Sequence, residues 1–163
     1  METFLGLNGV QWALFGGGIA AIGGGIGSAI GVARASKVAQ GVLAEEPEKF
    51  GSVLVLTALP GTQGFYGFIT AILVWILFGL GAGGKDLTSA AGFSVFLACL
   101  PVGIVEAISA IAQSWAAQAS IMWVAKRGDA AGRAVIFPAL VETYAVTTLV
   151  VGIFYLLAAR ATL

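Results

Sequence analysis

The sequence predicts an all-α membrane protein with four transmembrane helices. Of its 163 residues, 59% are hydrophobic and only 10% are charged, whereas a soluble domain carries about 25% charged residues. The charges separate four long stretches that are otherwise almost free of charge. This composition does not supply enough polar surface to face water, so we expect lipid to surround much of the chain.

Each of these stretches exceeds the roughly 20 apolar residues that a helix needs to cross a bilayer. The first two stretches carry no charge, the third carries only Glu106 and the fourth carries only Glu142. The connections between them are short hairpin loops, which leave no room for a soluble domain. The predicted helices cover residues 11–43, 51–81, 88–126 and 131–160.

The composition also argues against several classes of function. The net charge is zero, which argues against a nucleic-acid partner, and there is no His, the commonest metal ligand and general base. The single Cys99 lies in an apolar run, so we expect neither a disulfide nor a thiolate metal site. The glycine-rich run in the first helix follows no strand and does not predict a nucleotide site. We therefore expect no organic cofactor.

Basic residues predict the orientation of the chain, because they are enriched in cytoplasmic loops. Six of the eight flank the loops between the first and second helices and between the third and fourth. We expect these two loops in the cytoplasm and both termini outside. The six are Arg34, Lys37, Lys49, Lys126, Arg127 and Arg133, whereas Lys85 and Arg160 lie on the other side.

The chain contains an internal repeat with an offset of 81 residues, without a gap. Residues 28–30 (Ser-Ala-Ile) align with the identical residues 109–111, and the first loop aligns with the third. Each half is a two-helix hairpin, predicted as residues 1–82 and 83–163. Two helices per repeat preserve the orientation, so the halves are parallel repeats about an axis along the membrane normal.

The repeat also shows where the two halves differ. Glu142 aligns with Gly61, and Gln113 aligns with Val32. Only the second hairpin therefore carries an acidic residue and an amide at these positions.

Small residues form two rows along the first helix. Gly23, Gly27 and Gly31 recur at four-residue spacing, and a second row lies beside them at residues 16, 20, 24 and 28. Small residues at this spacing let helix backbones approach closely in a membrane. We predict that the first helix packs unusually tightly against its neighbours.

Glu142 is the strongest candidate functional residue. It lies nine residues inside Arg133, or about 13 Å along the helix, and a charge at that depth costs on the order of 3 kcal/mol or more. It needs hydrogen-bonding partners, a cation or a proton. Polar partners at a comparable level are Thr62 and Gln63 in the second helix and Gln113 in the third.

Pro60 lies in the middle of the second helix and disturbs its hydrogen-bond ladder. A carbonyl near such a break, such as that of Leu59, is then free to face a cation, and Tyr66 is placed to donate its hydroxyl to Glu142. The cluster is an all-oxygen set with one negative charge, which suits a monovalent cation. Two alternatives stay open: a proton on Glu142, or polar groups that only hold helices together.

Glu106 has two interpretations. It is a second ion site, or it faces a water-filled lumen or the membrane interface. It lies seven residues from Gln113 on the third helix, or about 10 Å toward the outer face.

Three runs carry a family resemblance: Leu-Pro-Gly-Thr-Gln-Gly-Phe-Tyr-Gly at 59–67, Ile-Ala-Gln at 111–113 and Val-Glu-Thr-Tyr-Ala at 141–145. Together with the doubled hairpin they resemble the membrane-ring proteolipids of V-type ATPases, and are most similar to those of bacterial sodium-pumping enzymes.

The resemblance implies a homo-oligomeric rotor ring in lipid, in a bacterial plasma membrane, with ATP hydrolysis in other subunits. Its expected partners are a stator subunit that supplies an Arg and a central-stalk subunit. A proton-coupled ring and a small four-helix secondary transporter are the alternatives. The implied Na⁺ ligands are the Leu59 backbone oxygen, Thr62, Gln63, Gln113 and Glu142, with Tyr66 hydrogen-bonded to Glu142.

Overall fold

The computed structural model describes residues 3–82, 87–161 and 163. Within them, four helices are long and apolar enough to cross a membrane, which confirms the predicted all-α membrane fold. The helices are α1 (Gly9–Glu45), α2 (Pro47–Leu77), α3 (Ser89–Lys126) and α4 (Gly128–Ala161).

Three of the four helices have their ends within three residues of the prediction, whereas α2 begins and ends four residues early. It begins early because Pro47 opens a 3₁₀ turn at its start. It ends early because Gly79 adopts a positive φ of 61°, a left-handed conformation typical of a residue just beyond a helix end. Lys85, which the sequence places on the outer side, lies outside the described residues.

A 3₁₀ turn, Leu59–Gly61, divides α2 into two α-helical parts, Phe50–Ala58 and Thr62–Leu77. The break falls at Pro60, as the sequence predicts, because proline has no N–H to donate. Beyond the break, the Gly64 N–H donates to the Ser28 hydroxyl of α1 at 2.7 Å. The interruption therefore leaves backbone groups of α2 available to other partners.

A second proline break, in α4, is not predicted by the sequence. Pro138 lies in the first turn of the α-helical part Ile136–Ala161, and its missing N–H leaves the Ala134 carbonyl without its usual partner. The hydroxyl of Ser120 on α3 donates to that carbonyl at 2.8 Å. The break thereby joins α4 to α3.

The first row of small residues on α1 lies against α3. A Cβ atom at any of its three glycines would overlap backbone atoms of α3; at Gly27 it would lie 2.6 Å from Ala107 Cα. The second row lies largely against α2, where a Cβ on Gly24 would overlap the Gln63 carbonyl. The first-row contacts are Gly23 on Gly103, Gly27 on Ala107 and Gly31 on Ala110.

Through these contacts α1 packs against both α2 and α3. Because α1 belongs to the first repeat and α3 to the second, the two repeats form one bundle rather than two separately packed hairpins. Two apolar clusters fill the space between the helices, one on each side of the middle of the bundle. One contains Val74, Val95 and Leu156, and the other contains Val53 and Ile121. The polar residues of the predicted site lie between these clusters along each helix.

Replacing Gly27 by Ala tests the close contact of α1 with α3. The added methyl group would meet Ala107 at 2.6 Å, so the helices must move apart, and we expect a loss of stability of about 1–3 kcal/mol. Gly25→Ala is the matched control, because nothing lies within 4 Å of that position. The melting temperature of each detergent-purified variant reports its stability. Equal melting temperatures for the two variants would contradict the packing role of Gly27.

Candidate ion-binding site

The predicted ligands meet where α2, α3 and α4 pack together. Glu142 on α4 is partly buried, whereas the amide side chains of Gln63 on α2 and Gln113 on α3 are both 0% exposed. Three different helices therefore bring their polar groups to one place.

Two side chains position the Glu142 carboxylate. The Tyr66 hydroxyl donates to Glu142 Oε1 at 2.6 Å, and Gln113 Nε2 donates to Glu142 Oε2 at 3.3 Å. Each carboxylate oxygen thus has a donor from a different helix, and the shorter contact, from Tyr66, is the stronger of the two.

Both the nitrogen and the oxygen of the Gln113 side-chain amide are hydrogen-bonded. Its Nε2 also donates to the Pro138 carbonyl of α4 at 2.9 Å, and its Oε1 accepts from Gln63 Nε2 at 2.7 Å. Because this side chain is fully buried and its partners belong to α2 and α4, it links the three helices of the site.

Three oxygen atoms cluster at the break in α2. The Thr62 hydroxyl donates to the Leu59 carbonyl at 2.9 Å and lies 3.3 Å from Gln63 Oε1. The 3₁₀ turn at Pro60 places the Leu59 carbonyl beside this hydroxyl. The network thus contains a carboxylate, two amides, a hydroxyl and a backbone carbonyl.

The network contains one acidic side chain and no basic one. In the described part of the chain, the ion pairs are those of Lys49 with Glu46 and of Asp129 with Arg127 and Arg133, all at the loops. A carboxylate within a membrane helix is costly unless something neutralises it. The site therefore has the chemistry of a receptor for one monovalent cation or one proton.

The sequence does not assign Ser109 and Pro138 to the site. The Ser109 hydroxyl accepts from Gln63 Nε2 at 3.4 Å and lies 3.5 Å from the Val141 carbonyl, to which it donates. Ser109 lies one helical turn from Gln113 on the same face of α3, a spacing that identifies it as a neighbour. Pro138 contributes only its backbone carbonyl, so its residue type does not predict a place in the site.

The corresponding position in the first hairpin is apolar. A Cβ atom at Gly61, which aligns with Glu142, would lie 3.4 Å from Val32, which aligns with Gln113. The two aligned pairs thus occupy similar places, but only the second pair is polar.

Glu106 does not face a water-filled lumen or an interface, and that interpretation is wrong for this chain. Its side chain is 0% exposed within the four helices, and neither carboxylate oxygen has a hydrogen-bond partner among the described residues. The reason is helical geometry: Glu106, Ser109 and Gln113 lie at i, i+3 and i+7, on the face of α3 that packs into the bundle.

Comparison with known proteins identifies the family. The sequence profile of the C-subunit family of ATP synthases matches the chain twice, at residues 15–74 and 96–155. Both ends of the second match lie 81 residues beyond those of the first, which is the offset of the internal repeat.

Two relatives match over most of this chain. The V-type sodium ATPase subunit K of Enterococcus hirae is 38% identical over 149 residues, which cover 91% of this chain and 92% of that protein. The A-type ATP synthase subunit K of Methanocaldococcus jannaschii is 40% identical over 139 residues, which cover 85% of this chain but 57% of that protein.

Members of this family form homo-oligomeric rings in rotary ATPases and are not their catalytic subunits. The family match, the four spans and the site around Glu142 are mutually consistent. The chain belongs to the C-subunit family of ATP synthases and is a multi-pass, ion-translocating ring proteolipid of a rotary ATPase.

Proposed function

We propose that each copy of this chain carries one Na⁺ across the membrane as the ring of a V-type ATPase rotates. The observation that carries the proposal is the single hydrogen-bonded network that joins five oxygen-bearing residues from α2, α3 and α4. The ligands are the Leu59 backbone oxygen, Thr62, Gln63, Gln113 and Glu142, with Tyr66 holding Glu142 in place.

The lengths of the contacts suggest where the ion sits. Among the contacts that join the proposed ligands and Tyr66, the longest are Thr62 to Gln63 and Gln113 to Glu142, both 3.3 Å, whereas the Tyr66–Glu142 and Gln63–Gln113 contacts are 2.6 and 2.7 Å. Na⁺ enters by opening the two long contacts. The two short contacts keep the ligand side chains in position, so these side chains move little when Na⁺ binds.

A proton is the alternative cargo, since Glu142 alone is sufficient to carry one. Two points favour Na⁺. A proton needs a single oxygen, whereas a hard cation needs several, and this site brings oxygens from three helices together. The relative from Enterococcus hirae is also named a sodium ATPase subunit.

Rotation follows from the charge on Glu142. In lipid, the bound ion neutralises the carboxylate, so each copy of the chain moves through the bilayer at low electrostatic cost. At the stator subunit, a fixed Arg competes for the carboxylate and releases the ion into an access channel. A central-stalk subunit transmits the torque of ATP hydrolysis to the ring.

The two hairpins, residues 1–82 and 83–163, contribute unequally to transport. Only the second carries the carboxylate, because Gly61 occupies the matching place in the first. Each four-helix subunit therefore moves one ion. We place the chain in a bacterial plasma membrane, with the α1–α2 and α3–α4 connections in the cytoplasm and the termini outside.

Na⁺ is expected to protect Glu142 from a carbodiimide reagent that modifies protonated carboxyl groups. At fixed pH, rising Na⁺ should slow modification of Glu142, because the ion displaces the proton that the reaction needs. Mass spectrometry locates the label, and Glu142→Gln provides the background. Modification that does not change with Na⁺ would support the proton instead.

Removing the Thr62 hydroxyl tests the ligand set. Thr62→Val keeps the shape but removes one oxygen, and we expect the Na⁺ concentration needed for protection to rise about tenfold, equivalent to about 1.4 kcal/mol.

The control for that variant is Thr143→Val, the repeat-equivalent position. Thr143 donates to the Leu140 carbonyl at 2.7 Å, as Thr62 does to that of Leu59, but it lies exposed on α4. Its variant should shift the protecting concentration less than twofold. Equal shifts in both variants would show that Thr62 acts only through helix structure.

A further inference from the structure

Glu106 is a second acidic group within the spans, and the Na⁺ site does not use it. It is 0% exposed, and both of its oxygens lack hydrogen-bond partners in the part of the chain that the structure describes. It lies about 10 Å along α3 from Gln113, by the helical rise. An ionised carboxylate in such a place is costly, so a bound positive charge must neutralise it.

Neither of two hydroxyl groups near Glu106 donates a hydrogen bond to it. Ser109, one turn away on α3, donates to the Val141 carbonyl. Tyr66, the phenol that interacts electrostatically with Glu106, donates to Glu142. Residues one turn to either side of Glu106 on the same face, Val102 and Ala110, are apolar and buried. Glu106 therefore lacks the hydrogen-bonded set of oxygen-bearing groups that converges on Glu142.

Few charged or titratable groups lie near Glu106. Tyr66 on α2 and Glu142 on α4 interact with it electrostatically. Cys99 lies two turns away on α3, and α1 contributes no titratable group before Arg34. None of these groups supplies a positive charge at Glu106, since Arg34 lies over the Trp115 ring.

A metal cation and a proton make different demands. Na⁺ needs several oxygen ligands, and the Glu142 network offers such a set, whereas the surroundings of Glu106 do not. A proton needs a single oxygen, which the carboxylate itself provides. The surroundings of Glu106 thus select a proton.

We propose that Glu106 is a second ion-binding site in each subunit, specific for a proton and separate from the site at Glu142. The proton stays on Glu106 while the subunit moves through lipid, so a subunit whose Glu142 is also neutralised carries no net charge within the bilayer. The proposal goes beyond the transport function, because it holds whether Glu142 carries Na⁺ or a proton.

Infrared spectroscopy of the purified ring tests the proposal without requiring a reagent to reach the buried group. A carboxylic acid that lacks hydrogen bonds absorbs at a higher C=O frequency than one in water. Glu142→Gln is the central sample, because Glu106 is then the only acidic residue within the apolar stretches. The high-frequency band should be present in this variant at neutral pH and unchanged by Na⁺.

Glu106→Gln is the matched variant, and the band assigned to Glu106 should be lost in it. The Glu142→Gln ring decides the question by itself if the Glu106→Gln ring does not assemble. Two results would overturn the proposal: carboxylate bands in place of the acid band in Glu142→Gln, or loss of the acid band on adding Na⁺, which would make Glu106 a metal-cation site.

Discussion

The structure depends on the cost of an ionised carboxylate within a lipid-embedded helix. Glu142 receives hydrogen bonds from two other helices, and in the proposed function a bound Na⁺ neutralises its charge. Tyr66 and Gln113 contact its two oxygens, and Gln113 is held by Gln63 and by the Pro138 carbonyl. Because the amides are fully buried, the network has few alternative partners. The proposed affinity for one small cation rests on this preorganisation.

The packing of α1 allows the three site helices to meet. Its glycines remove side-chain bulk where α2 and α3 cross it, so Gly27 lies against Ala107 and Gly24 against the Gln63 backbone. A larger α1 would push α2 and α3 apart and open the Gln63–Gln113 contact. The row of small residues, which has no chemistry of its own, thus supports the chemistry of residues on other helices.

Much of this account follows from the sequence, because a membrane limits the possible structures. Charge-free stretches predict the four helices, the repeat distinguishes Glu142 from Gly61, and Pro60 predicts the break in α2. The partners of individual atoms do not follow. Ser109 gives little signal because serine is common in helix contacts, and Pro138 acts through a carbonyl that every residue has. The burial of Glu106 could have been predicted, because Glu106 shares a face of α3 with Gln113 at a spacing of seven residues.

The most direct test of the central claim is the stoichiometry of Na⁺ on the purified ring. Equilibrium binding of radioactive sodium, at a known concentration of the 16.5 kDa subunit, should saturate at one ion per chain and should vanish in Glu142→Gln. A plateau of two ions per chain would contradict the inequality of the two hairpins. Binding that survives in Glu142→Gln would contradict the account of the site itself.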